Sequence, residues 1–219
     1  MEVIIMKELL EANERLAEEN RAYFAGRHIL AVNLMGSPGS GKTTLISALA
    51  KELAPIPVGV VEGDIASSID ADNLEKQGIR SSQINTCGEC HLDSRVIRDG
   101  AERIDLHDAV VFIENVGNLI CPAEFDLGEN VRLLAASVPE GDDKPFKYVP
   151  MFSYADAVAL TKCDLTEAVG FDGANFRKGL RALSQAPVFE VSLKKGTEPK
   201  GAAELADYLR KKYEALGKA

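Results

Sequence analysis

The sequence predicts an α/β fold, a mostly parallel central sheet with helices on both faces, preceded by an amphipathic helix. Three observations carry this expectation. Short apolar runs alternate with helical stretches along residues 28–213, the pattern of a parallel sheet covered on both sides. A glycine-rich loop stands between the first apolar run and the first helix that follows it. Ahead of both, Ile5, Leu9, Leu16 and Tyr23 recur at roughly helical or heptad spacing in a stretch rich in Glu, Leu, Ala, Asn and Arg.

Taken in order, residues 2–25 read as one helix, lying against its own domain or against a second subunit. Strands are expected at 28–34 and 57–61, the second ending in Glu62-Gly63-Asp64, with a helix over 42–53 between them. A polar helix at 70–77 leads to a short strand at 82–85, and a helical stretch runs from the Cys90-His91 region to about 104. Strands follow at 108–114, 131–138 and 157–160, then a helix at 175–183, a strand at 188–191 and a closing helix over 202–213. The polar segment 139–147 reads as an exposed loop. With 219 residues, the chain divides into an N-terminal helix at 1–27 and one domain at 28–219.

Composition narrows the setting. A net charge of −9 argues against a nucleic-acid partner, because a phosphate backbone would be repelled. No apolar run approaches the ~18 residues of a membrane span, and the N-terminus lacks the ordered parts of a secretory signal. Four cysteines in a chain this long do not make a disulfide framework, so a reducing, cytoplasmic setting is expected, with the thiols as metal ligands or core residues.

Gly36-Ser37-Pro38-Gly39-Ser40-Gly41-Lys42-Thr43 satisfies G-x-x-x-x-G-K-[ST] between a strand and a helix. Glycines let the backbone curl so that successive N–H groups face phosphate oxygens, and the helix N-terminus adds partial positive charge. The expected phosphate-binding set is Gly36, Ser37, Gly39, Ser40, Gly41, Lys42, Thr43 and Thr44, with Lys42 bridging the β- and γ-phosphates and Thr43 holding Mg²⁺.

Thr161-Lys162-Cys163-Asp164 follows a strand and resembles the Asn-Lys-x-Asp base motif of GTPases. Asp164 can accept hydrogen bonds from the ring N–H and exocyclic amine of guanine, a donor pair adenine lacks, while the Lys162 stem covers the base face. Thr161 replaces the usual Asn, and its hydroxyl makes fewer contacts than an amide. Ser192-Leu193-Lys194, after the last strand, stands where a second base-side loop is placed. GTP is therefore the expected nucleotide. Asp64 is the expected Mg²⁺-side or water-positioning carboxylate. Glu114-Asn115-Val116-Gly117 occupies the place of an Asp-x-x-Gly switch, Glu114 facing Mg²⁺ and the Gly117 N–H sensing the γ-phosphate. No glutamine or arginine finger is placed for fast hydrolysis, so turnover is expected to be slow.

Cys87-Gly88-Glu89-Cys90-His91 concentrates two thiols and an imidazole, and Cys121 follows Gly117 by four positions. Such donors suit Zn²⁺ or Ni²⁺ rather than Mg²⁺ or Ca²⁺. By spacing alone they are equally buried cysteines beside a helix-capping histidine. Cys121 lies in the segment that moves when Gly117 gains or loses a γ-phosphate, which would tie a metal there to nucleotide state. Cys163 reads as a packing residue.

With these motifs together, the chain resembles the hydrogenase nickel-incorporation GTPases of the HypB family, a SIMIBI-type branch of the P-loop NTPases. The strings N-L-M-G-S-P-G-S-G-K-T-T, E-G-D-I-A-S-S-I-D-A-D, C-H-L-D at 90–93 and E-N-V-G-N-L-I-C-P at 114–122 carry the likeness, which spans about residues 5–215. The resemblance implies a nickel metallochaperone that hydrolyses GTP, with metal ligands Cys90, His91 and Cys121 and with Cys87 outside that set. It implies a GTP-promoted homodimer with the metal near the interface. It also implies two partners, a companion hydrogenase maturation protein and the [NiFe]-hydrogenase large subunit. The extra nickel store of some relatives is not expected, since residues 1–30 hold no cysteine and only His28. The Cys-Pro-His triplet of the related urease nickel GTPase is absent. Two other readings stand beside this one. A small-molecule kinase would need an adenine preference and an arginine-bearing lid. A nucleotide-switched interaction module would carry its metal incidentally.

Overall fold

The computed structural model describes residues 2–64, 74–85 and 91–217, apart from the side chains of residues 2–10 and of Asp64. Among these residues, seven strands form one sheet in the order β3-β2-β4-β1-β5-β6-β7, every pairing parallel. The strands are β1 (Ile29–Gly36), β2 (Val58–Asp64), β3 (Arg80–Asn85), β4 (Ala109–Glu114), β5 (Val131–Ser137), β6 (Ala157–Thr161) and β7 (Val188–Glu190). The expected sheet is thus present, and it is wholly rather than mostly parallel.

Burial on both faces explains the apolar runs. In β1, Leu30, Val32 and Leu34 join one core cluster while Ile29 and Ala31 join another. Val110 and Phe112 of β4 divide from Val111 and Ile113 in the same way. A strand with period-two side chains and apolar cover on both sides has no polar face to show. The first cluster is closed by α2 (Lys42–Glu52) and the C-terminal helix α8 (Ala202–Leu216), through Leu45, Ile46, Leu49, Leu205 and Leu209. The opposite face is covered by α1 (Glu2–Gly26) and α3 (Ser94–Ile104), through Tyr23, Phe24, Ile97 and Ala101. A third cluster under β5 and β6 takes Met151 and Phe152 from α5 (Val149–Ser153) and, beyond the short α6 (Thr166–Val169), Phe176 and Leu180 from α7 (Gly173–Arg181).

Helix α1 lies on its own domain and is fixed there by buried amides. Asn13 donates to Asp126 O at 2.7 Å and accepts from the Ser94 N–H at 3.0 Å. Asn20 donates to Ser94 O at 2.7 Å and Leu127 O at 3.0 Å. Gly128, in the left-handed region at φ +82°, allows this approach, since a Cβ there would sit 2.5 Å from Ala17 O. The start of α3 is set by Asp93, whose carboxylate accepts from the Arg95 and Val96 N–H groups.

Segment 139–147 departs from the expected exposed loop. It takes in the end of a 3₁₀ turn (Val138–Glu140) and the helix α4 (Lys144–Lys147), with Pro145 buried. Pro145 and Phe146 pack so closely on α7 that a Cβ on Gly179 would meet both within 3.0 Å. Residues 70–73 of the expected helix at 70–77 fall outside the described residues, as do Cys87 and Cys90; Leu74 and Glu75 are helical and the chain then turns over 76–78.

Candidate functional site

Parallel strands end together, and the order reverses about β1, which separates β4 from β5. Ligands bind at such a switch point, beyond the C-terminal strand ends. The register lines up Gly36 with Ala135, Leu34 and Glu62 with Glu114, and Ser137 with Thr161 along that edge.

The glycine-rich loop starts at the end of β1 and enters α2 through Gly41, in the left-handed region at φ +94°. Gly39 is also left-handed, at φ +73°. The Lys42 ammonium is buried and donates to Gly36 O and Ser37 O, each at 3.3 Å. Beside it, the Thr43 hydroxyl donates to Glu114 Oε1 at 2.9 Å. A cavity of about 580 Å³ is lined by Pro38, Gly39, Gly41, Lys42, Thr43, Thr44, Glu62, Gly63, Glu114 to Gly117 and Lys162. Gly117 abuts the loop, since a Cβ there would fall 2.8–3.0 Å from Pro38 atoms. An antiparallel bridge between Gly36 and Asn118 continues this contact.

Glu62 was not singled out in the sequence. It is buried at the end of β2, in register with Glu114, and lines the same cavity. Its position two residues before the predicted site residue Asp64 was a signal in the sequence; the adjacency to Glu114 is a matter of register, which sequence spacing does not show. The Asp64 backbone closes β2 opposite Asn85, and its side chain lies outside the described residues.

A second cavity, about 370 Å³, adjoins the first and is lined by Ser40, Gly41, Thr44, Thr161, Lys162, Asp164, Leu165, Val191, Leu193 and Lys194. Thr161 is buried and donates its hydroxyl to Ser40 O at 2.6 Å. Lys162, in the left-handed region at φ +59°, donates to Gly39 O at 2.6 Å and borders both cavities. Thr161 therefore holds the base-side loop to the phosphate loop. Ser192 donates to Asp164 Oδ1 at 3.0 Å, which orients that carboxylate.

Cys163 turns the other way. Its thiol donates to Leu160 O at 3.0 Å, and burial pushes its pKa up to about 11. Relative to a thiol at the ordinary 9.0, the thiolate fraction near pH 8 is about 100-fold lower. Iodoacetamide labelling followed by peptide mapping should accordingly show slow modification of Cys163 in the native protein and fast modification after denaturation. Equal rates in both states would contradict its packing role.

Of the expected transition-metal ligands, His91 and Cys121 are described. Cys121 opens a 3₁₀ turn (Cys121–Ala123) and is partly exposed. The His91 ring stacks on Phe125, with centroids 3.8 Å apart and planes at 24°, which joins its segment to the one Cys121 begins. Among the described residues no three His, Cys, Asp or Glu side chains gather as a metal site. Cys90, the third expected ligand and the chain neighbour of His91, lies outside them. A thiol and an imidazole on touching segments suit a borderline-soft divalent ion.

Comparison with known proteins supplies the context. The family model described as "CobW/HypB/UreG, nucleotide-binding domain" matches residues 30–190. The hydrogenase maturation factor HypB of Escherichia coli K12 is 43% identical over 204 residues, covering 92% of this chain and 70% of that protein. A crystal structure of HypB from Helicobacter pylori in complex with nickel superimposes with a TM-score of 0.87 at 36% identity, covering 93% of this chain and 96% of that one. The signal recognition particle receptor FtsY of Elizabethkingia anophelis, 20% identical with a TM-score of 0.54 over 91% of this chain and 73% of its own, shares the fold alone.

Proposed function

Since the chain belongs to the CobW/HypB/UreG nucleotide-binding family, among its HypB hydrogenase maturation factors, we propose that it hydrolyses GTP to handle nickel during [NiFe]-hydrogenase assembly. One observation carries this reading. The segment from Glu114 touches Thr43 and Pro38 of the phosphate loop, then continues within a few residues to Cys121 and to Phe125, on which His91 stacks. Nucleotide and metal would thus act on one stretch of backbone.

In this reading Lys42 neutralises charge on the β- and γ-phosphates, loop N–H groups hold their oxygens, and Asp164 selects guanine. Two oxygen ligands 2.9 Å apart, Thr43 at the head of α2 and Glu114 at the end of β4, suit Mg²⁺, with Glu62 in register with Glu114 and Asp64 two residues further along β2. Mg²⁺ would there offset the negative charge of the β- and γ-phosphates. Glu114 and Asp64 position the attacking water. Ni²⁺ is cargo, held by Cys90, His91 and Cys121, and Zn²⁺ fits the same donors. A GTP-promoted homodimer would bring two such sites together about a two-fold axis, and the recipients are a companion maturation protein and the hydrogenase large subunit.

The test is metal stoichiometry. The wild-type chain should bind about one Ni²⁺ or Zn²⁺, and the combined substitution Cys90→Ala, His91→Ala and Cys121→Ala should remove it. Unchanged stoichiometry in the triple variant would end the metal assignment and leave a nucleotide-switched interaction module.

A further inference from the structure

A buried side-chain amide is costly unless its hydrogen bonds are made, so where two segments share one, it fixes their relative position. Asn115, 1% exposed, is such an amide. It stands between Glu114, bonded to Thr43, and Gly117, pressed against Pro38. Its backbone N–H donates to Leu34 O at 3.0 Å. Its Oδ1 accepts two N–H groups, from Val116 at 3.0 Å and from Leu92 at 3.2 Å. Its Nδ2 donates to Asn33 Oδ1 at 3.2 Å.

Both ends of this network lead to the metal-bearing segments. Leu92 follows His91, and its side chain lies directly on Gly63 of the phosphate cavity, where a Cβ would meet it at 2.7 Å. Asn33, fully buried in β1, donates to Glu129 Oε1 at 3.2 Å, and Glu129 Oε2 accepts the Leu127 N–H at 2.7 Å. Leu127 ends the stretch that begins at Cys121 and carries Phe125. On their far side the same segments are held by Asn13 and Asn20 of α1. They are therefore clamped to α1 on one side and joined to the nucleotide loop through Asn115 on the other.

We infer that Asn115 is the positioning residue that passes movement of the 114–117 segment to Leu92 and so to His91. The Val116 and Leu92 N–H groups share one oxygen. When the Val116–Gly117 backbone turns toward a γ-phosphate, its claim on Oδ1 changes, and the Leu92 bond changes with it. This inference rests on the proposed nucleotide switch and adds a second route to the metal segment beside the direct chain path from Gly117 to Cys121.

Amide hydrogen exchange on the full-length, metal-free chain tests it, comparing GDP with a non-hydrolysable GTP analogue. In the wild type, exchange over residues 91–94 should differ between the two states by at least about fivefold, the lower end of ordinary coupling. In Asn115→Ala the difference should fall below about twofold, whatever the variant's overall stability. Asn33→Ser leaves Asn115 in place but weakens its Nδ2 anchor; it should reduce the difference and serves if Asn115→Ala does not fold. A wild-type difference preserved in a folded variant overturns the role of Asn115 while sparing the switch. A wild-type difference at 121–125 without one at 91–94 does the same. No difference anywhere in the wild type sinks both the switch and the inference.

Discussion

Replacing Lys42 by Ala is expected to slow GTP hydrolysis by about 10²–10³-fold, the loss found when one preorganised donor is removed from a developing anion. The ammonium is buried at the head of α2 and held by Gly36 O and Ser37 O, so it sits inside the loop rather than sweeping the solvent. Little reorganisation is needed to bring it to a phosphate oxygen held by that loop. Lys42→Arg should not restore the rate, because a planar guanidinium does not fit where a compact ammonium is enclosed. Single-turnover hydrolysis on folded variants, checked by thermal melts, measures this. A Lys42→Ala rate within threefold of wild type would exclude the loop as the catalytic phosphate site.

Asp164→Asn is expected to be the largest change in nucleotide choice. A carboxylate accepting two guanine N–H groups gains about 1.5–3 kcal/mol from each charge-assisted bond. Asn keeps one oxygen acceptor for the ring N–H but loses the charge and sets its NH₂ against the guanine amine, which should weaken GTP by about 10²–10⁴-fold. The Asn amide offers a donor where xanthine has a carbonyl in place of the guanine amine, so XTP should gain as GTP loses. Ser192, bonded to Asp164 Oδ1, holds the side chain in place and should serve the amide equally well. Competition with GTP, XTP and ATP by titration separates the outcomes. Retention of GTP preference would move base recognition away from Asp164, and an ATP preference in the wild type would favour the kinase reading.

The parts of the site legible in the sequence are those set by local chemistry. The phosphate loop is readable because left-handed Gly39 and Gly41 require glycine at fixed spacing before a helix. Strands β1 and β4 are readable because burial on both faces removes every polar alternation. Features that depend on register or on distant packing were not readable. Glu62 became a site residue only once β2 was paired with β4. At Thr161, the sequence spoke of fewer contacts than an Asn amide makes, whereas the hydroxyl in place ties the base loop to Ser40 O. The sequence assigned no separate role to Asn13, Asn20, Asn33 or Asn115, although Asn33 and Asn115 stand within the motif strings, since Asn is mostly exposed in proteins. Here they are buried connections between α1, the segments that carry Leu92, Ser94 and Asp126, and the phosphate loop. Segment 139–147 misled because Pro, Asp and Gly suggest a loop, although Pro145 and Phe146 cover Gly179.

Nucleotide control of metal holding is the central claim, and the affinity of the full-length chain for Ni²⁺ in its GDP-bound and GTP-analogue-bound states tests it most directly. A ligand can shift a conformational equilibrium only by its differential affinity for the two states, so coupling must appear in both directions. The expected result is a change in Ni²⁺ affinity of about fivefold or more between the two nucleotides, matched by an equal change, on Ni²⁺ binding, in the ratio of GTP-analogue to GDP affinity. Equal Ni²⁺ affinity in both states would contradict it.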